Sequence, residues 1–319
     1  MFTSIKIVNR YYWKSLFGPG VMFIFSVLFA FIMGSSWALM DIIKFPSVMP
    51  GLCCLTICIV GMFCIPLTLN NFRTSMIMKR LGNSKITSYT FIFAVALYYY
   101  LMSIVSFLWT LAWGFVIFCN NIDRYLDVFR YMSVPQLLYA FTITFLLSTA
   151  IGMFVLVFTK RNFVIALVAA IVVLLGFVLA GFGAPIPMIH TRGYVYTPPR
   201  PQNQSILTNV PIFTNAQYRI DSESPLTSYV YIHPMWYTTS MCYEAFFAAG
   251  SGDSLNTYSY TATSIFNPTQ TVVSKVITIH QDVFEILGCN DKWANLFVPL
   301  GLILIFGGVA IGKFKWNVR

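Results

Sequence analysis

The chain has 319 residues, of which 58% are hydrophobic and only 9% are charged. Soluble domains carry about 25% charged residues, so this composition excludes an ordinary soluble fold and indicates a lipid bilayer as the solvent. The net charge of +10 does not indicate nucleic acid binding, because the basic residues are dispersed between apolar runs, as membrane topology requires.

The apolar runs predict membrane-spanning helices. Barrel strands alternate apolar and polar residues, whereas these runs are uninterrupted. About 20 apolar residues cross a bilayer as a helix. We therefore predict an all-α membrane protein with one transmembrane domain, 1–319, and six transmembrane helices. The predicted spans are residues 21–40, 48–69, 89–119, 134–158, 163–182 and 296–311.

The residues before the first span, 2–16, predict an amphipathic helix. Its apolar side chains can share one face, and its basic side chains recur at every fourth position on another: Ile5, Val8, Tyr12 and Leu16 against Lys6, Arg10 and Lys14. Such a helix lies in the headgroup layer, with Tyr11, Tyr12 and Trp13 as interfacial anchors. An ordinary basic flank of the first span is the alternative.

A polar and basic connection, residues 70–88, follows the second span. It predicts a short helix from about Arg73 to Leu81, which ends in a left-handed turn at Gly82 or Asn83. A second helical start follows at Ser84 or Thr87.

The longest connection, residues 183–293, separates the fifth span from the sixth. Its first half is rich in Pro, Gly, Asn, Ser and Thr, which is typical of loops. Two helices are predicted in its second half. Residues 233–249 have Pro234 near the start, where helices tolerate it, and residues 271–287 have apolar positions at a helical period. We expect both helices to be amphipathic and to lie on, or dip into, the outer leaflet.

The charge distribution supports six spans and an orientation. Six spans place both termini and the short basic connections on one side, and all 10 acidic residues on the other. Short basic connections are cytoplasmic as a rule. We therefore expect a multi-pass protein of the plasma membrane with both termini in the cytoplasm.

The chain lacks the motifs of an autonomous enzyme. It has no G-x-x-x-x-G-K-[ST] phosphate loop, no H-E-x-x-H and no G-x-S-x-G. His190, His233 and His280 are irregularly spaced, which favours solvated or capping histidines over a metal site. We expect no catalytic residue, no metal and no cofactor on this chain.

The cysteines do not form a framework. Cys53, Cys54, Cys58 and Cys64 lie in the second span and resemble small buried hydrophobic residues. Cys242 and Cys289 lie in the long connection and could form a disulfide if that side is oxidising.

The order of these elements resembles the membrane subunit of type-2 ATP-binding-cassette (ABC) exporters. The best local match is residues 78–86, Met-Lys-Arg-Leu-Gly-Asn-Ser-Lys-Ile, which resembles the family's coupling helix region, here 73–86. The tail 313–316, Lys-Phe-Lys-Trp, and the segment 233–236, His-Pro-Met-Trp, are also similar to family patterns. The family often has acidic residues before the coupling helix, where this chain has Asn70 and Asn71.

The resemblance implies a role for two connections. The residues that would couple to a separate ATPase subunit are Arg73, Lys79, Arg80, Leu81, Gly82, Asn83, Ser84 and Lys85. Lys160 and Arg161 would make a second contact, although they are equally typical of a simple topology signal.

The implied function is the permease subunit of an exporter that moves an amphiphilic or hydrophobic substrate outward. Its partners would be ABC ATPase subunits that hold ATP and Mg, a second permease copy or related chain, and membrane lipids, with no nucleic acid. Two alternatives remain at this point. One is a membrane scaffold or sensor that uses its long external segment. The other is an autonomous carrier or channel, against which the spans' lack of ionisable residues argues.

Overall fold

The computed structural model describes residues 2–14, 19–25, 27–28, 31–32, 49–74, 88–117, 129, 132–183, 194–197, 200–201, 213–214, 217–220, 227–246, 257–263, 271–278 and 292–314. In chain order, the helices are α1 Phe2–Lys14, a π-helix Gly20–Phe25, α2 Met49–Ile59, a second π-helix Val60–Cys64, α3 Ile65–Thr74, α4 Ser88–Ile117, α5 Val134–Phe158, α6 Asn162–Leu179, α7 Thr227–Val230, α8 Pro234–Phe246 and α9 Lys292–Lys313.

Five helices within these residues are long and apolar enough to cross a membrane. They lie over the second to the sixth predicted spans: Met49–Arg73, Tyr89–Trp113, Val134–Phe158, Asn162–Leu179 and Trp293–Lys313. The first of them is continuous through α2, the second π-helix and α3. Most of the first predicted span, 21–40, lies outside the described residues, so the count of six stays a prediction. The chain is thus a multi-pass helical membrane protein.

The continuous rod formed by α2, the second π-helix and α3 is the centre of the bundle. It packs against α4, α5, α6 and α8, and nearly all of its side chains are buried. By contrast, α6 and α9 lie at the periphery and expose large apolar side chains such as Phe163, Leu174 and Leu304. This is the distribution expected of a bundle whose outer surface faces lipid.

A close crossing joins the central rod to α5. A Cβ atom added at Gly61 would overlap the Ser148 side chain, and one added at Gly152 would lie 2.7 Å from Pro66 Cγ and 2.8 Å from the Gly61 carbonyl oxygen. Small residues let membrane helices approach to backbone contact. Gly61 lies within the second π-helix, so the rod changes from α-helical to π-helical geometry where it meets α5.

The described residues of the long connection include six short strands, each paired antiparallel. β1 Tyr194–Thr197 pairs with β4 Gln217–Ile220, and β2 Arg200–Pro201 pairs with β3 Phe213–Thr214. β5 Thr257–Thr263 pairs with β6 Thr271–Thr278, with an irregularity at Ala262 and Thr263. All of these strands lie in the connection between α6 and α9. The all-α prediction therefore holds for the spans and not for this segment.

The predicted helix over 271–287 is wrong for its first eight residues, which form β6. Six of those residues are Thr, Val or Ile. β-Branched side chains lose rotamer freedom in a helix and pack well in strands. The helical spacing of Val272 and Val276 was therefore outweighed by local preference and by pairing with β5.

The predicted helix over 233–249 is present as α8, but its environment differs from the prediction. Ten of its 13 residues are buried, and they include Thr238, Thr239 and Ser240. α8 packs on α2, α5 and α9, so it is an internal helix and not an amphipathic surface helix. The hydroxyl groups donate to the carbonyl oxygens of Met235 and Trp236, which allows them to be buried at low cost.

Candidate functional site at the basic end of the bundle

One end of the bundle, here called the basic end, gathers the cationic side chains of four segments. It consists of α1, the last turn of α3, the turn Thr159–Arg161 between α5 and α6, and the last turn of α9. Its described cations are Lys6, Arg10, Lys14, Arg73, Lys160, Arg161 and Lys313. The single acidic residue in the described part of the chain is Glu244 on α8. The basic end therefore has no carboxylate of its own in that part.

A network of neutral polar side chains ties the basic end together. It comprises Asn70 and Asn71 of α3, Asn162 of α6 and Tyr11 of α1, and we refer to these residues as the asparagine clasp. Asn70 Nδ2 donates to the Lys160 carbonyl oxygen at 2.8 Å and to Asn162 Oδ1 at 2.6 Å. Asn162 Nδ2 donates to Asn71 Oδ1 at 2.8 Å, and Asn71 Nδ2 donates to Tyr11 Oη at 3.0 Å.

The clasp joins segments that are far apart in sequence. Asn70 and Asn162 are separated by 92 positions, and Asn71 and Tyr11 by 60. Asn70 is 1% exposed, and losing a hydrogen bond from a buried amide costs more than losing one from a solvated amide. The clasp therefore fixes the end of α3, the α5–α6 turn and α1 relative to one another.

Two cations of the basic end lie against aromatic rings. The Arg73 guanidinium carbon lies 5.9 Å from the centre of the Phe314 ring, just after α9. Lys313 Nζ lies 5.1 Å from the centre of the Phe158 ring at the end of α5. These are cation–π distances. Lys160 and Arg161 are exposed and remain available to a partner.

Helix α1 docks on the bundle through its apolar face. Val8 and Tyr12 are 0% exposed, and Tyr12 Oη donates to Met22 Sδ at 3.0 Å. The Tyr12 ring makes edge contacts with Tyr98 and Tyr99, with ring centres 5.6 and 5.8 Å apart. The prediction that Tyr12 is an interfacial anchor is therefore wrong, because its side chain packs inside the protein.

The other predicted anchors differ from Tyr12. Trp13 is 60% exposed, which is compatible with an interfacial position. Tyr11 is half-buried and belongs to the asparagine clasp. The exposed face of α1 carries Lys6, Arg10 and Lys14, and these are the residues that the sequence placed on the polar face.

Within the bundle and away from the basic end, α8 begins with a buried histidine cap. The Met235 backbone N–H donates to His233 Nδ1 at 3.3 Å, and His233 Nε2 lies 3.1 Å from the Val172 carbonyl oxygen. Nδ1 is therefore the acceptor and Nε2 carries the proton. Burial lowers the pKa of His233, so the neutral form is favoured. This is a capping histidine, one of the two roles that the sequence suggested.

The structure brings together only part of the predicted site. Arg73 lies in the last turn of α3, and Lys160 and Arg161 lie in the α5–α6 turn beside it. Lys79, Arg80, Leu81, Gly82, Asn83, Ser84 and Lys85 lie outside the described residues. Cys242 is a buried free thiol, and Cys289 lies outside the described residues. No group of three or more potential metal ligands occurs in the described ranges.

Sequence reasoning missed Asn162 as a site residue and treated Asn70 and Asn71 only as departures from a family pattern. A signal was present, because adjacent amides at the end of an apolar helix need hydrogen-bond partners if they are buried. Their partners, however, come from α6 and α1, and local sequence does not reveal which segments meet.

The fold and the basic end define a class of protein, a multi-pass helical membrane protein whose connections at one end are cationic and mutually bonded. Comparisons of the chain with protein-family models, with characterised proteins and with solved structures found no match.

Proposed function

We propose that this chain is the membrane subunit of an ATP-driven exporter of the type-2 ABC class. In this proposal, it moves an amphiphilic or hydrophobic substrate outward, and a separate ATPase subunit hydrolyses ATP. The basic end faces the cytoplasm, the protein lies in the plasma membrane, and two permease chains enclose the substrate path. The chain has no ATPase motif of its own.

The asparagine clasp is the observation that carries this proposal. A subunit driven from outside needs rigid connections at the driven end, because a load on a loose loop would not reach the spans. The clasp bonds the end of α3, from which the predicted coupling segment leaves, to the Lys160 carbonyl oxygen and to Tyr11. A displacement applied beyond Thr74 would therefore move α3, the α5–α6 turn and α1 as one unit.

The close crossing supplies the next step of the proposed force path. Gly61 and Gly152 bring the central rod and α5 to backbone contact. Because packed interiors are not continuously deformable, the rod and α5 should move together. The displacement would then reach α8, which packs against both of them at the opposite end of the bundle.

The electrostatics support a protein partner at the basic end. Lys160 and Arg161 are exposed, and Asn70 and Asn71 are occupied within the clasp. A docking surface with carboxylates would complement this end. The absence of acidic residues before the coupling segment then means that the partner supplies them.

Co-expression with a candidate ABC ATPase subunit tests the proposal. The expected result is that the ATPase co-purifies with the detergent-solubilised chain and that transport depends on ATP. Gly82→Glu and Ser84→Glu should abolish both, whereas Lys275→Glu in β6, away from the basic end, should leave both intact. The proposal is wrong if the two variants at 82 and 84 retain ATPase association and transport.

A labelling experiment tests the orientation separately. Lys160→Cys should react with an impermeant maleimide only in inside-out vesicles, because residue 160 is exposed at the basic end. The described native cysteines are all buried and should contribute little background. Reaction in right-side-out vesicles would place the basic end outside and contradict the proposed topology.

A further inference from the structure

Two buried thiols from different helices lie in contact near the end of the bundle that carries α8. Cys54 of α2 and Cys242 of α8 are both 0% exposed, and their Sγ atoms are 3.3 Å apart. Cys54 Sγ also lies 3.8 Å from the Thr238 carbonyl oxygen. The pair is separated by 188 positions in sequence, so the fold alone brings it together.

The neighbouring cysteines are not equivalent to this pair. Cys58 Sγ lies 3.3 Å from Met62 Sδ, one turn along the same rod. Cys53 adjoins Cys54 in sequence and is 1% exposed. It therefore serves as a matched control with the same residue type and burial on the same helix. The sequence allows a disulfide between Cys242 and Cys289 on an oxidising side, whereas the structure gives Cys242 a different neighbour, Cys54.

We propose that Cys54 and Cys242 form a redox pair that closes to a disulfide and fixes α8 to α2. This inference does not rest on the proposed export function. The two sulfur atoms are in van der Waals contact, so a bond between them requires a small displacement of the side chains. Disulfides have a restricted geometry, so the pair must bring its sulfur atoms from 3.3 Å to about 2.05 Å.

The reaction is balanced with a peroxide as oxidant. One thiol loses its proton and its sulfur attacks a peroxide oxygen, which breaks the O–O bond and leaves a sulfenic acid and water. The second sulfur then attacks the sulfenic sulfur, the S–O bond breaks, and the departing oxygen leaves as water with the second thiol's proton. Two thiols and one hydrogen peroxide thus give one disulfide and two waters.

The consequence of closure follows from the position of α8. This helix packs on α2, α5 and α9, and it enters the bundle at His233, beside Val172 of α6. A covalent bond at Cys242 would prevent α8 from separating from the central rod. The reduced chain would retain that freedom, so the oxidation state would set whether α8 can move.

The test uses the full chain in membranes treated with hydrogen peroxide. The chain is then denatured, its remaining thiols are blocked with a maleimide, and the digest is mapped by mass spectrometry. The expected product is a cross-linked peptide that joins residues 54 and 242, with the loss of two alkylatable thiols. Cys53→Ala should give the same cross-link, whereas Cys54→Ala and Cys242→Ala should give no cross-linked peptide from the remaining partner.

Three outcomes would overturn the inference: a cross-link between Cys242 and Cys289, full retention of thiols in the wild type, or loss of the cross-link in Cys53→Ala. Peptide mapping of the wild-type chain needs no variant, so it decides the matter even if Cys54→Ala fails to fold. In thermal unfolding, the peroxide-treated wild type should unfold at a higher temperature than the untreated protein, and dithiothreitol should reverse the shift. A treated wild type that unfolds at the untreated temperature would contradict the proposed fixing of α8.

Discussion

Replacing Asn70 by alanine should lower the free energy of unfolding by an amount that can be derived from the hydrogen bonds it removes. The substitution removes the donor to the Lys160 carbonyl oxygen and the donor to Asn162 Oδ1. A typical hydrogen bond contributes about 0.5–1.5 kcal/mol net, so two of them give about 1–3 kcal/mol. Lys160 and Asn162 are exposed and water can satisfy them afterwards, which favours the lower half of that range.

A double-mutant cycle isolates the bond between the two amides. Asn70→Ala and Asn162→Ala each remove it, so the double variant should be less destabilised than the sum of the two by about 1 kcal/mol. The assay is reversible unfolding of the detergent-solubilised chain by SDS titration, followed by tryptophan fluorescence. The Asn71–Asn162 bond at 2.8 Å remains in Asn70→Ala, so the network should weaken without dissolving.

Asn295 on α9 is the matched control for a buried amide outside the clasp. It is 5% exposed, and its Nδ2 has no hydrogen-bond partner among the described residues. Removing a buried polar group that lacks a partner is nearly neutral or stabilising, so Asn295→Ala should not lower stability as Asn70→Ala does. If the cycle is additive within about 0.5 kcal/mol, the clasp does not couple α3 to α6.

Three further predictions concern packing and pH. Gly152→Ala should destabilise by about 1–3 kcal/mol in the same SDS titration, because the new Cβ would lie 2.7 Å from a Pro66 atom; Gly308→Ala, whose Cβ meets no described atom within 4 Å, should not. Tyr12→Ala should lower the free energy of unfolding by about 3–5 kcal/mol. Trp13 is 60% exposed, so Trp13→Ala should change it by about 0.5 kcal/mol or less. The free energy of unfolding should decrease as the pH drops below 6.5, the ordinary pKa of histidine. Burial lowers the pKa of His233 in the folded chain, so the unfolded chain takes up the proton first. Asn is also a good helix cap, so His233→Asn should reduce this pH dependence; an unchanged pH profile would exclude His233 as its source.

The membrane bundle was predictable because its signal is local and repeated. Long apolar runs of sufficient length determine a spanning helix almost independently of context. The helix Val134–Phe158 is a clear case, since Pro135 lies in its first turn and no charged residue interrupts it. The exposed cations of α1 follow from the same kind of periodic pattern.

The long connection was less predictable because its structure depends on partners. Val272 and Val276 fit a helical period, yet β6 forms because β5 lies opposite with Tyr258 facing Ile277. Likewise, α8 has hydroxyl side chains that suggest a polar face. These groups bond to their own helix, and the helix is buried. Pairing and burial are tertiary properties, and single-sequence patterns report them weakly.

The clasp illustrates why a site can be composed of predictable residues and still escape prediction. Asn70 and Asn71 lie at the expected end of a span, and Asn162 lies at the expected start of another. Their pairing depends on α3 and the α5–α6 turn reaching the same depth in the bundle. The lengths of the spans and the close crossing at Gly61 set that depth. Neither can be predicted from the sequence with the accuracy that a hydrogen bond requires.

The neutrality of the clasp determines what the cations at this end can do. Had Asn70 or Asn71 been acidic, it would neutralise Arg73 or Lys160 within the chain. The amides instead bond to one another and leave those charges unbalanced in the described residues, where Glu244 is the one carboxylate and belongs to α8. An acidic ATPase surface docked here would be held partly by exposed ion pairs. Dissolved salt weakens such pairs, because the electrostatic screening length is about 8 Å at physiological ionic strength. ATPase association should therefore weaken as sodium chloride is raised, and salt-independent association would mean that apolar contacts, and not these cations, form the docking surface.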